Sequence, residues 1–391
     1  MGIIEYNIEK RGDIIMEIMN LIATTTFGLE AVAKRELMAL GYEDITLENG
    51  KVKFKGRPED IAKANIWLRT AERVLIEVGE FGATAFDELF EKTKELPWED
   101  YIPEDANFII DGKSINSKLF SISDCQRIVE KAIVERLKTK YPVEWFEKSG
   151  PRYRIEVALL KDIATLTIDT SGDGLHKRGY RDRAGDAPIK ETLAAAMVYL
   201  SFWNKDRVLL DPFCGAGTIL IEAGMIGKNI APGLDRSFDA ENFHFIDKDI
   251  WENVRAEALK GINHNVKLEL LGADIDKRSI LRARDNAAKV GLEEDIAFFM
   301  KDMRDIDLLD NYGVVITNPP YGERMGEKEE AELLYKDFGK KFRELATWSI
   351  YTITSNENFE KLYGKKADKK RKLYNGRIKV DYYQYYGPRP K

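Results

Sequence analysis

The stretch from Arg207 to Ala223, R-V-L-L-D-P-F-C-G-A-G-T-I-L-I-E-A, admits few folds. Val208, Leu209 and Leu210 form a continuous apolar run, as a strand buried on both faces of a parallel sheet does, and Asp211-Pro212 stops it. Gly215 and Gly217 lack Cβ, which permits a sharp turn and close approach to a ligand. Thr218 then opens an apolar helix whose first amide N–H groups face the turn. Strand, glycine turn and helix in this order make a small-molecule cradle in an α/β domain. The alternative is an ordinary strand-turn-helix.

What the stretch lacks narrows the ligand. A dinucleotide turn would need glycine at position 220, where Leu220 stands, and a phosphate loop would need G-K-[ST]. The acidic candidate for a ribose, Asp274, lies far beyond the ~20-residue spacing of the dinucleotide pattern. The string D-P-F-C-G-A-G-T resembles the first motif of class I methyltransferases, in the form carried by enzymes that methylate exocyclic amino nitrogens of bases. That resemblance implies S-adenosylmethionine as cofactor, with Asp211, Phe213, Gly215, Gly217 and Thr218 around it.

A second string fits the same chemistry. In V-V-I-T-N-P-P-Y-G-E-R-M, Val314 to Thr317 reads as a buried strand with Asn318-Pro319-Pro320-Tyr321 at its carboxyl end, where a doubly wound sheet presents ligand groups. An exocyclic amine conjugated with its ring is a poor nucleophile because its lone pair is delocalised. If the Asn318 side-chain oxygen and the Pro319 carbonyl accept its two hydrogens, the nitrogen can pyramidalise. Pro320 stiffens the turn, and Tyr321 can stack on an extruded base.

Further contacts follow from position. Asp274 ends the strand L-E-L-L-G-A-D and is placed to accept ribose hydroxyls, with Asp276 as a rival or as the cap of the helix Lys277 to Val290. F-F-M-K-D resembles the third methyltransferase motif, implying that Asp302 takes the adenine amino group and Met303 packs on the ring, a helix cap being the alternative. The alanine-rich helix Pro188 to Leu200 stands where the family closes a helix over the methionine end, which implies Lys190 and Thr192 at its mouth.

The rest of the chain bounds the setting. With 391 residues, two or three domains are expected. A net charge of -6 argues against a uniformly basic nucleic-acid binder, so such contacts must be local. Cys125 and Cys214 have no metal-ligand spacing, so no zinc site or disulfide framework is expected and a reducing cytoplasm suits the chain. No apolar run approaches the ~18 residues of a membrane span. Patterned sequence starts near Leu21, leaving residues 1–20 as an N-terminal extension.

From Leu21 the order reads βαββαβ, with a hairpin at Asn49-Gly50 and a helix begun by Pro58, which suggests a ferredoxin-like leader over 21–82. Helix, strand, long helix and two paired strands follow. Together these resemble a THUMP module, taken as 65–170, which implies binding of structured RNA. Ser171 to Asp186 is glycine-rich and almost free of aliphatic residues, and it marks the boundary to a domain over 171–391. Its His176, Lys177, Arg178, Arg181 and Arg183, interleaved with Tyr180, pair phosphate-neutralising charge with a stacking surface, or form a basic linker. The insertion Gly227 to Asn265 reads as a helical excursion on the domain rim. The basic run Lys361 to Lys379 is a phosphate patch or a charged loop, and the tail Tyr382 to Tyr386 a last antiparallel strand.

Nearly the full chain is similar to the bacterial THUMP-containing methyltransferases that make N2-methylguanosine in 23S ribosomal RNA. That resemblance implies an α/β chain with an N-terminal ferredoxin-like plus THUMP half and a C-terminal Rossmann-like seven-stranded domain carrying a single activity. Its cofactor-binding half is expected to bind S-adenosylmethionine alone. The base remains open, because N-P-P-Y serves guanine N2 or adenine N6, on ribosomal or transfer RNA. A noncatalytic ribosome assembly factor is the reading from another class.

Overall fold

A computed structural model describes residues 18–181, 189–308, 312–322 and 327–389. The amino half runs β1 (Met19–Thr25), α1 (Glu30–Ala39), β2 (Thr46–Glu48), β3 (Lys51–Gly56), α2 (Pro58–Trp67) and β4 (Ala71–Gly82). It continues with α3 (Phe86–Lys94), α4 (Trp98–Tyr101), β5 (Asn107–Ile115), α5 (Ile122–Leu137), β6 (Arg152–Leu160) and β7 (Ile163–Asp169). Gly50 closes the β2–β3 hairpin with φ of +72°, and Asp60 accepts the Arg57 N–H at 2.7 Å ahead of the Pro58 start. Residues 19 and 20 already pair with β3, so the extension expected over 1–20 ends at least two residues earlier.

The leader and the THUMP-like part share one sheet, which the element order did not reveal. Its seven strands run β2-β3-β1-β4-β7-β6-β5. The long β4 joins the parts by pairing β1 along one edge and β7 along the other.

The carboxyl half runs α6 (Glu191–Tyr199), β8 (Leu209–Asp211), α7 (Thr218–Gly227), α8 (Lys248–Lys260), β9 (Leu270–Asp274), α9 (Lys277–Lys289), β10 (Ile296–Met300) and β11 (Val314–Thr317). It closes with α10 (Glu327–Phe342), β12 (Ser349–Thr354), α11 (Phe359–Tyr363), β13 (Lys369–Asn375) and β14 (Ile378–Tyr385). The sheet order is β10-β9-β8-β11-β12-β14-β13, with β14 antiparallel to its neighbours as the aromatic tail suggested. The centre of the basic run, Lys369 to Asn375, is strand β13 rather than a loop. Among the described residues no helix is long and apolar enough to cross a membrane.

The insertion is not a rim excursion. Phe238, Phe243, Ile246 and Trp251 are buried in one core with Phe108, Tyr153 and Ile155 of the amino half. Tyr153 stacks on Phe243 at 4.2 Å, and Arg152 grips Asp239 through two 2.9 Å hydrogen bonds. In the other direction, Leu29 and Val32, at the start of α1, are buried in the core beneath α6 and α7. The halves interlock, a relation invisible to local periodicity.

Candidate functional site

The parallel order reverses between β8 and β11, opening a crevice at their carboxyl ends. Asp211 lies at the end of β8, Asp274 at the end of β9 and Asn318 just past β11, so one crevice mouth collects the three strand ends.

Asp211 is buried and accepts from the Thr317 hydroxyl at 2.6 Å and from the Phe213 N–H at 3.1 Å. Burial pushes its carboxyl up to about 7, the two donors oppose the rise, and the Asp274 charge adds to it. Thr317 thus ties the glycine-turn strand to the N-P-P-Y strand, a link with no sequence signal.

The turn is held from outside. Cys214 N–H donates to the Ala273 carbonyl at 2.9 Å, Gly215 N–H to Asp274 Oδ2 at 2.9 Å, and the Asn286 amide to the Ala216 carbonyl at 3.0 Å. The two glycines do different work. At Gly215, with φ of +52°, a Cβ would meet nothing within 4 Å, so the backbone borders open space. At Gly217, with φ of +82°, a Cβ would stand 2.9 Å from Phe298 Cζ and 3.1 Å from Ala283 Cβ. Gly217 is therefore required by packing and by its left-handed conformation at the cap of α7. Thr218 is buried behind it, and Phe213 is half-buried against Phe338 of α10, ring centroids 6.0 Å apart.

Asp274 also accepts the Asp276 N–H at 2.9 Å, which leaves its half-buried carboxylate lone pairs to spare. Asp276 caps α9, accepting from Arg278 N–H and Ser279 N–H. Asp302, two residues past β10, takes the Arg304 N–H at 2.8 Å and its guanidinium at 2.9 Å. Met303 is buried in the core beneath α10.

At the end of β11, Asn318 is half-buried and its Oδ1 accepts the Tyr321 hydroxyl at 2.6 Å. Among the described residues no donor reaches the Pro319 carbonyl. Tyr335 of α10, fully buried, donates to the Pro320 carbonyl at 2.8 Å and lies 2.9 Å from the Thr354 hydroxyl, bracing the turn from below. Sequence reasoning missed Tyr335, which sits in a plain amphipathic helix.

The linker residues scatter. Lys177 is exposed and pairs with Asp173 at 3.0 Å, and His176 lies 3.5 Å from Glu72. Arg178 is buried against Glu222 of α7 and donates to the Leu175 and Arg69 carbonyls. Tyr180 is buried too, its hydroxyl 3.3 Å from Glu222. Neither meets a phosphate or a base from there, which corrects the expectation of a continuous basic and aromatic strip. Arg181 bonds the Thr218 hydroxyl and pairs with Glu191 at 3.4 Å, so it belongs to the cofactor turn. Arg183 lies outside the described residues.

Lys190 and Thr192 reach Glu72 of β4 at 3.0 and 2.9 Å. Burial would raise the Glu72 carboxyl, but the His176, Lys190 and Thr192 contacts outweigh it and bring it down to about 2. The mouth of α6 is thus held by the amino half.

An adenosyl ligand fits this crevice: open space beside Gly215, a carboxylate with spare acceptor capacity at Asp274, and the N-terminal amides of α7 converge there. Fold and site together define an S-adenosylmethionine-dependent methyltransferase carrying a THUMP-type amino half. Family models match as the RlmL ferredoxin-like domain over residues 20–75, the THUMP domain over 83–169 and the RMKL-like methyltransferase domain over 178–384. The chain belongs to the RMKL-like methyltransferase family.

It is 51% identical over 373 residues to YpsC of Bacillus subtilis, provisionally named an RNA methyltransferase, covering 95% of this chain and 97% of that one. It is 36% identical over 366 residues to the ribosomal RNA large subunit methyltransferase K/L of Vibrio cholerae, covering 91% of this chain but spanning only 52% of that relative's length. The crystal structure of SMU.472, provisionally described as a methyltransferase and complexed with SAH, is 45% identical with a TM-score of 0.91, covering 96% of this chain and all of the other (100%).

Proposed function

We propose that the chain methylates the exocyclic N2 amine of a guanine in 23S ribosomal RNA. The observation that carries the reading is the joint placement of the Asp211–Thr317 pair, Asn318 and Tyr321 at one crevice mouth. S-adenosylmethionine supplies an electrophilic methyl group when bound. Asp274 would hold its ribose, Asp302 its adenine and the Gly215 turn its backbone approach. Asn318 Oδ1 and the Pro319 carbonyl accept the two hydrogens of the incoming amine, so its lone pair leaves the ring plane. The nitrogen would gain the methyl group as the methyl–sulfur bond breaks, leaving the cofactor as its thioether, and the proton it sheds would pass to water. Tyr321 stacks on the extruded base.

The amino half, as a ferredoxin-like leader over 21–82 and a THUMP module over 65–170, holds the structured RNA. The domain over 171–391 performs the transfer.

The test is methyl transfer from labelled cofactor to protein-free large-subunit RNA, followed by nucleoside digestion. N2-methylguanosine supports the reading, and N6-methyladenosine replaces guanine by adenine. No transfer to any RNA or DNA, with no nucleoside lost from cells lacking the protein, favours an assembly factor.

A further inference from the structure

The basic run from Lys361 to Lys379 divides between two ends of the sheet, and the division selects which charges can reach RNA. Thr317 is level with Thr352 of β12, which is level with Tyr383 of β14 and Lys370 of β13. Two residues further along β12, Thr354 is level with Asp381 and Lys372, while β11 has already ended at Thr317. Beyond that level β12 has ended, yet β13 and β14 continue as a two-stranded hairpin through Leu373 to Val380, turning at Gly376. At about 3.4 Å per residue the hairpin rises roughly 10 Å above the end of β12. Three strand spacings of about 4.8 Å set it roughly 14 Å to the side of β11. Lys365 and Lys366 precede β13 and lie toward the opposite end, where Lys365 sits by the Tyr385 ring.

Charge and rings on the raised part suit a flexible nucleic acid. Lys372 and Arg377 are exposed and, among the described residues, have no ion-pair partner, whereas Lys370 pairs with Asp381 at 3.5 Å and Lys379 approaches Glu357 at 3.9 Å. Beside them the loop after β1 brings a ring from the other half: Phe27, 54% exposed, meets Tyr374 edge-on at 6.2 Å. The Gly28 backbone comes so close to the Lys372 carbonyl that an added Cβ would stand 3.0 Å from it. Free cations beside an exposed ring, above a base-accepting crevice, are what single-stranded nucleic acid binds: charge tracks the phosphates, and a base stacks on the ring.

We propose that the β13–β14 hairpin, through Lys372 and Arg377, with Phe27, forms a wall that holds the single-stranded RNA flanking the target base. The proposal rests on the methyltransferase reading above, and it makes the wall a joint product of both halves.

The experiment compares the full-length chain with two paired substitutions, Lys372→Ala with Arg377→Ala and, as the positional control, Lys365→Ala with Lys366→Ala. Binding to protein-free large-subunit RNA is followed by fluorescence anisotropy across salt, and S-adenosylhomocysteine affinity reports an intact fold. The hairpin pair is expected to lower the log-affinity against log-salt slope by about 1.4, two single-strand phosphate contacts, while the control pair leaves it unchanged. Phe27→Ala is expected to weaken binding at least about fivefold. A hairpin pair with the wild-type slope overturns the proposal, and so do two pairs that lower it equally, since the charge would then act diffusely. If the wild type methylates RNA while the hairpin pair binds normally, only the wall is lost. If the wild type methylates nothing, the methyltransferase reading fails instead.

Discussion

The Tyr321 hydroxyl donates a 2.6 Å hydrogen bond to Asn318 Oδ1, so one lone pair of the acceptor that the proposed chemistry assigns to the substrate amine is taken by the protein itself. An entering amine must use the second lone pair or displace the phenol. Asn318→Ala is expected to lower kcat roughly a hundredfold to a thousandfold, about 2.7 to 4 kcal/mol, with cofactor and RNA affinity kept. Tyr321→Phe keeps the ring and removes the competing donor, so it should retain activity where Tyr321→Ala loses it. Single-turnover transfer rates for the three variants decide this, and an Asn318→Ala enzyme at the wild-type rate would remove the residue from the mechanism.

The contrasting glycines predict contrasting variants. Gly215→Ala adds a methyl group facing open space at φ of +52°, a backbone cost of about 1 to 2 kcal/mol, so it should stay folded while losing cofactor affinity. Gly217→Val drives atoms into Phe298 and Ala283 at the cap of α7 and should lower the melting temperature as well. Calorimetric titration beside a thermal melt separates them; equal melting temperatures would refute the packing role of Gly217.

Asp211 gives a pH signature. Its folded carboxyl, raised to about 7, keeps a proton that an unfolded aspartate loses near ~4. The folded state therefore binds the extra proton between these values, and stability falls as pH rises through that window. Asp211→Asn cannot ionise and should flatten that part of the decline. Thermal melts from pH 5 to 8 test this, and identical slopes for both proteins would mean that Asp211 is charged throughout.

Glu72 behaves oppositely. Its carboxyl is lowered to about 2, so its contacts are in place above ~4.5 and are lost only as pH falls through about 2. Glu72→Ala leaves Lys190 and Thr192 without their partner and should weaken cofactor binding about tenfold, evenly from pH 5 to 8. For the same reason the isolated carboxyl half is expected to bind the cofactor less well than the full chain. Equal affinity in the two would restore the expectation of an autonomous cradle.

What the sequence showed was what neighbours in the chain decide. The glycine turn, N-P-P-Y, the Asp276 cap and the hairpin at Asn49-Gly50 are each set within a few residues, and each was legible. Arg178 was misread because glycine-rich surroundings suggest solvent, whereas its burial is decided by Glu222, 44 positions away. Glu72 lies 118 positions from Lys190, and Thr317 lies 106 from Asp211, separations at which periodicity carries no information. The single sheet of the amino half escaped notice because β4 serves two units, and an element order does not reveal sharing.

The buried aromatics of the insertion set a timetable for the chain's birth. As synthesis proceeds from the amino end, the first half finishes its own strands at Asp169, yet its core still lacks Phe238, Phe243 and Trp251. Those side chains emerge only after β8 and α7 of the other half have been made, so the amino half waits, with apolar surface uncovered, for a segment that belongs to its neighbour. A nascent chain arrested near residue 200 should therefore be protease-sensitive and prone to aggregate, and one arrested after the whole insertion has emerged should not.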